Sequence, residues 1–143
     1  MRGKRTYLVP VDFTKSTDLA LTYAVNLARE DKAKLLLVYV FAEVASGVPL
    51  YLRDHYQKGL QSRAKTKMQK LLAKHRLDAK RDRVVYLRAR DPAKAIVAQA
   101  KKSRVSMIIM GSRGLKGLKR LILGSVAERT LRYARCPVLV VKR

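Results

Sequence analysis

Short apolar runs alternate along this chain with longer stretches in which apolar residues recur every three or four positions. Thr6–Val11, TYLVPV, is β-branched, apolar and too short for a helix, and it reads as a buried strand with Pro10 near its end. Leu19, Ala20, Tyr23, Ala24, Leu27 and Ala28 then mark one face of a helix that ends near Arg29–Asp31. Thr14, Ser16 and Thr17 are its candidate caps, and Asp18 suits the positive first turn. Lys34–Phe41, KLLLVYVF, is an unbroken apolar run of the kind found in a sheet covered on both faces. A loop with Gly47 and Pro49 leads to a second helix from about Tyr51 to His75. Its apolar line of Leu52, Tyr56, Leu60, Ala64, Met68 and Leu71 predicts packing on the sheet, with lysines outward.

Arg83–Arg88 is a third strand, and Asp91-Pro92 a cap followed by proline at the first helical position. Ile96, Val97 and Ala100 form that helix's buried face. Met107–Met110 is a fourth strand. A last helix starts at Gly124-Ser125, buries Val126, Ala127, Thr130, Leu131 and Ala134, and ends at Cys136-Pro137 before a fifth strand, Val138–Val141. This β-α alternation with continuous apolar strands predicts one α/β domain over residues 1–143, a parallel sheet with helices on both faces.

Charge changes the picture of partners more than that of the fold. The 33 Lys+Arg against 10 Asp+Glu give a formal +23, a field that attracts polyanions. The excess is uneven: residues 53–90 hold thirteen basic side chains against three acidic. It reads either as a solvated basic surface or as a binding face for nucleic acid or an acidic partner in the Arg53–Arg90 region. One cysteine, Cys136, excludes an internal disulfide and suggests a reducing compartment. No stretch approaches the ~18 apolar residues of a membrane span, and the opening MRGKRTYLVPVDFTK lacks the apolar core of a signal peptide. The expectation is a cytoplasmic protein.

Candidate chemistry concentrates after the fourth strand, in GSRGLKGLKRLILGS, Gly111–Ser125. Strand, glycine loop and helix start are the parts of a phosphate cradle, in which unpaired backbone N–H groups and a helix dipole face one anion. The spacing is neither the P-loop G-x-x-x-x-G-K-[ST] nor the dinucleotide G-x-G-x-x-G; it is G-x2-G-x9-G-[ST]. Asp12 stands where ligands of parallel sheets bind, as a functional acid or a cap of the loop after it. His55 and His75 read as surface histidines, and Cys136 as a small packed residue, because no cluster of metal-ligand spacing surrounds them.

Met110–Val141, MGSRGLKGLKRLILGSVAERTLRYARCPVLVV, resembles the nucleotide loop, last helix and last strand of the universal stress protein family. Leu8–Asp12, LVPVD, and Leu35–Val40, LLLVYV, extend the resemblance to nearly the whole chain. The resemblance implies a Rossmann-like three-layer α/β/α sandwich with an open five-stranded parallel sheet in the order 3-2-1-4-5, and a role in stress response. For the family's ATP-binding branch it implies that Pro10, Val11 and Asp12 border the adenosine and Val40 the adenine. Met110 and Gly111 would line the nucleoside, Gly114, Gly124 and Ser125 hold the phosphates, and Val126 offer a backbone N–H. Arg113, Lys116, Lys119 and Arg120 are phosphate contacts or solvated charges. Asp12 is the one carboxylate nominated for a phosphate-bound Mg2+ or Mn2+. A homodimer through Val138–Val141 is implied as well.

Three readings follow: a nucleotide-dependent sensor or adaptor, a slow metal-dependent ATPase, and a nucleic-acid or acidic-partner binder. No catalyst of hydrolysis is evident in the residues, since beyond Asp12 no carboxylate stands ready to position water. Asp91 and Ser106 depart from the family pattern, which often has glycine before this proline and an acid before the fourth strand.

Overall fold

The computed structural model describes residues 3–44, 46–113 and 123–142. The elements are β1 (Thr6–Val11), α1 (Lys15–Glu30), β2 (Lys34–Ala42), α2 (Leu50–Lys74), β3 (Arg83–Ala89), α3 (Pro92–Lys102), β4 (Met107–Gly111), α4 (Ser125–Tyr133) and β5 (Val138–Val141). All five strands are parallel in the order β3-β2-β1-β4-β5, so the chain reverses direction across the sheet between β1 and β4. Among the described residues no helix is long and apolar enough to cross a membrane.

The continuous apolar strands serve two cores because successive side chains point to opposite faces. Val9, Leu35, Leu37 and Ile109 are buried under α1 and the end of α2, where Ala20, Leu21, Ala24 and Met68 meet them. Leu8, Leu36, Val38, Ile108 and Met110 are buried under α3 and α4 with Ile96, Ala100 and Ala127. Local signals start the helices where the spacing places them. The Thr14 side chain caps α1 by accepting from the Thr17 N–H at 3.3 Å, and Asp91 caps α3 by accepting from the Lys94 N–H at 3.2 Å.

Three expectations are corrected. In α2 only Ala64 and Met68 are buried; none of residues 50–63 is, and Leu52 and Tyr56 are 47% and 59% exposed. The Lys67 ammonium stands over the Phe13 ring, 5.7 Å from its centroid, just past the end of β1. The helix before that point therefore runs outward beyond the sheet, where no described residue buries Leu50, Tyr51, Leu52 or Tyr56. In α4 the buried positions are Ala127 and Thr130, and Leu131 is exposed. The helix also ends at Tyr133, earlier than Cys136-Pro137, since the chain is already extended at Ala134. Finally, the His75 side chain is buried, 8% exposed, and its Nε2 is 2.7 Å from Asp18 Oδ1.

Candidate functional site

The carboxyl ends of β1, β2 and β4 meet where the strand order reverses, the place where open parallel sheets bind ligands. Register defines what faces what. Val11 pairs with Tyr39 of β2, so Asp12 lies one step on, level with Val40. Leu8 pairs with Ile108 of β4, which brings Pro10 level with Met110. Val40, Met110 and Val126 pack in the core under α3 and α4, and alternation places Pro10 on that same face. Val11 points the other way into the core under α1, leaving its backbone for any ligand on the α4 side. Of the expected adenosine contacts, Pro10, Val40 and Met110 thus share one apolar floor, while the Val11 side chain does not.

Asp12 organises the turn that follows. Its Oδ1 accepts from the Thr14 N–H at 3.0 Å, from the Thr14 hydroxyl at 2.5 Å and from the Thr17 hydroxyl. Its own N–H donates to Thr17 Oγ1 at 3.2 Å. The capping role is therefore real, and it consumes one carboxylate oxygen; among the described residues no hydrogen bond reaches Oδ2. Phe13, next in the turn, holds φ at +61°, a conformation that costs an L-residue about 1–2 kcal/mol. Its ring packs 5.1 Å from that of Tyr39, where burial, helped by the Asp12 charge, pushes the phenol upward from its ordinary pKa.

Gly111 is required by a neighbouring helix. A Cβ there would lie 2.2 Å from Ser16 Oγ and 2.8 Å from the Ser16 carbonyl carbon and oxygen, so only glycine lets the first turn of α1 rest on the end of β4. Ser16 Oγ in turn accepts from the Arg113 N–H at 3.2 Å, holding the chain as it leaves the strand. The Ser112 carbonyl accepts from the Gly124 N–H at 2.7 Å, so the chain returns beside the point it left. Gly114, with Lys116, Lys119 and Arg120, lies outside the described residues.

Gly124 is the N-cap of α4 and Ser125 its first helical residue, so Ser125 does not cap. Among the described residues no side chain caps this helix, and the N–H groups of Ser125, Val126 and Ala127 have no acceptor within it, the first intrahelical bond running from the Glu128 N–H to the Gly124 carbonyl at 2.9 Å. These donors and the positive helix end fit an anion. Asp91 pins this helix to the start of α3, accepting from both terminal nitrogens of Arg129 at 2.9 and 2.5 Å. The hydrogen bonds from Arg129 hold the Asp91 carboxyl below the usual carboxylate range. Spacing alone marked Asp91 and Ser16 as caps; their contacts with Arg129 and Arg113 cross 38 and 97 residues and left no local signal.

Among the described residues no group of three His, Cys, Asp or Glu side chains converges as a metal site. A divalent ion at Asp12 would find one free carboxylate oxygen and would draw its remaining ligands from phosphate and water. Cys136 is half-buried and burial raises its thiol, which suits a packed residue.

The sequence and the fold have counterparts among known proteins. The chain is 33% identical over 145 residues to universal stress protein YxiE of Bacillus subtilis, covering 94% of this chain and 97% of that protein. It is 34% identical over 139 residues to universal stress protein MJ0531 of Methanocaldococcus jannaschii, covering 95% and 81%. Among solved structures, hypothetical protein MJ0577 superposes with a TM-score of 0.80 at 29% identity, covering 97% of this chain and 96% of that one. The fold also recurs in a universal stress protein in complex with cAMP, TM-score 0.68 at 19% identity over 97% of each chain. The Archaeoglobus fulgidus protein in complex with dAMP gives 0.67 at 18% over 99% and 100%. The model of the Universal stress protein family matches residues 4–142, and with these relatives it establishes that the chain belongs to that family.

Proposed function

We infer that residues 1–143 act as a single universal stress protein domain that binds ATP, or a close adenine nucleotide, as a cytoplasmic sensor or adaptor in stress response. The observation that carries this reading is the N-terminus of α4, which no described side chain caps, following β4 at the strand-order reversal where β1 also ends. Pro10, Val40 and Met110 supply an apolar floor for the base, and Asp12 Oδ2 an acceptor for the ribose or a bridging Mg2+ or Mn2+. Gly111 borders the nucleoside beside Met110, and Arg113, Gly124, Ser125 and Val126 face the phosphate end, with Gly114 assigned to it from the glycine spacing. Proteins of this fold held with cAMP and dAMP support an adenosine ligand.

Calorimetric titration with ATP tests the site: Gly124→Asp, which sets a carboxylate at the helix start, is expected to weaken binding by at least a hundredfold. Unchanged affinity would sink it. Incubation with ATP and Mg2+ or Mn2+ separates retention of intact nucleotide, expected here, from ADP release by a slow ATPase.

A homodimer through β5 belongs to the same reading. β5 is an edge strand, Leu139 on it is exposed, and the exposed Leu131 and Tyr133 lie on α4, which packs beside it. Light scattering at micromolar concentration should give twice the chain mass, and Leu139→Lys should halve it.

A further inference from the structure

The strongest unabsorbed feature lies on α2, on the face of the sheet opposite α3 and α4. Leu50–Lys74 carries seven Lys and Arg and a single acid, Asp54. Four of the cations, Arg63, Lys67, Lys70 and Lys74, follow at intervals of four, three and four residues, which sets them in one line along the helix. Contacts show which side that is: Lys67 stands over Phe13, and Lys74 Nζ is 2.7 Å from Asp18 Oδ2, so the line borders α1. Arg63, Lys67 and Lys70 are exposed, and among the described residues no carboxylate pairs with them. Asp18, the acid facing the line from α1, is taken by Lys74 and His75. Tyr56, 59% exposed, continues the line two turns beyond Arg63.

We propose that this side of α2 is a track for the sugar–phosphate backbone of single-stranded nucleic acid, with Tyr56 as a stacking platform at its outer end. The repeating element of the surface is charge, and the partner that repeats its charge is a nucleic-acid backbone. The exposed apolar residues Leu50, Tyr51 and Leu52 are consecutive and point about 100° apart around the helix. Only Leu52 and Tyr56, one turn apart, share a face, which is short for the groove of an acidic protein. A second copy docked on this line would set basic surface against basic surface, since Arg63, Lys67 and Lys70 would face a chain with 33 Lys+Arg against 10 Asp+Glu. A bilayer surface would need an apolar face beside the cations, and here that face is already buried at Ala64 and Met68. The same burial holds residues 63–74 against the protein body, which keeps the track out of a duplex groove and limits it to backbone contacts without base reading. An unpaired base offers Tyr56 a π face that a closed duplex does not.

Fluorescence anisotropy with the full chain and a labelled 20-nucleotide single-stranded RNA of mixed sequence tests this. Three to four phosphate contacts predict that log K falls with log salt at a slope of about −2 to −3. Arg63→Glu/Lys67→Glu/Lys70→Glu should lose at least a hundredfold at about 50 mM salt, whereas the charge-matched Lys94→Glu/Lys101→Glu/Lys102→Glu on α3 should lose only severalfold. Equal losses would show that net charge alone is at work and overturn the track. Tyr56→Ala should weaken the single strand about fivefold and leave a blunt duplex unchanged; equal effects on both would remove the platform. Polyglutamate competing as well as RNA at equal charge would overturn the proposal in favour of an acidic protein. Absence of wild-type binding at about 50 mM salt would end it. Thermal melts of each variant, with the single changes Arg63→Gln and Lys70→Gln beside the triple, separate lost binding from lost folding, and an unaltered ATP titration separates this surface from the nucleotide site.

Discussion

Helices α1 and α2 cover the same face of the sheet and have opposite relations to it. Six residues of the 16-residue α1 are buried, and its first turn is built into the strand ends through Thr14, Ser16 and Thr17. Only two of the 25 residues of α2 are buried, and its outer turns stand free. Both helices carry an apolar periodicity, so periodicity alone does not decide which becomes part of a site. What distinguishes α1 is a set of small polar side chains that spend their hydrogen bonds on neighbouring backbone and on Asp12. One helix is fixed where the glycine segment begins at Gly111; the other offers a long basic surface.

The sharpest way to break this comparison is to unseat α1. Gly111→Ala places a methyl group against the Ser16 backbone, which cannot yield as a flexible side chain would, and an overpacked contact of this kind should cost about 3 kcal/mol. Leu52→Ala, on the free part of α2, should change stability by less than ~0.5 kcal/mol. Urea unfolding of both variants measures the difference. Comparable losses would mean that the outer turns of α2 are held more firmly than their exposure indicates.

A smaller effect divides the two roles of Asp12. Asp12→Ala orphans the Thr14 and Thr17 donors around Oδ1 and should cost about 1–3 kcal/mol. Asp12→Asn can keep an oxygen in that position and should retain most of that stability. If Asp12 also touches the nucleotide, the Asn variant loses ATP affinity while its urea midpoint hardly moves. If affinity follows stability through both variants, Asp12 acts only by positioning the turn.

How much of this was legible beforehand depends on the reach of each interaction. The three central strands β1, β2 and β4 were legible because both of their faces are buried, so apolar runs such as LLLV are continuous. The helix starts at Thr14 and Asp91 were legible because capping acts over three residues. The outward course of α2 was not. Its 25 residues span about 37 Å, and its period records which side is apolar but not where the sheet ends. Asp12 was legible as an acid at a strand end, whereas its hold on the following turn follows from three hydrogen bonds on one oxygen. Asp91 shows the same limit: its cap is local, but Arg129, its ion partner, comes from another helix.

The smallest expected effect concerns the one place where the two helices are tied by charge. Asp18 in the first turn of α1 accepts from Lys74 and pairs with His75 at the end of α2. The Lys74 hydrogen bond, with help from His75, lowers the Asp18 carboxyl from its ordinary value against the opposing effect of burial. A carboxylate whose pKa is lower folded than unfolded adds stability above the unfolded value of about 4, and that stability is lost as pH falls through the folded value. Asp18→Asn should therefore lower the urea midpoint modestly at pH 7 and leave it level with the parent chain in strong acid. Lys74→Met should reproduce most of that change and, made on top of Asp18→Asn, add little. A deficit that persists unchanged in acid would show that Asp18 acts through packing or its helix end, and the charge tie between α1 and α2 would then have no part in holding the freer helix.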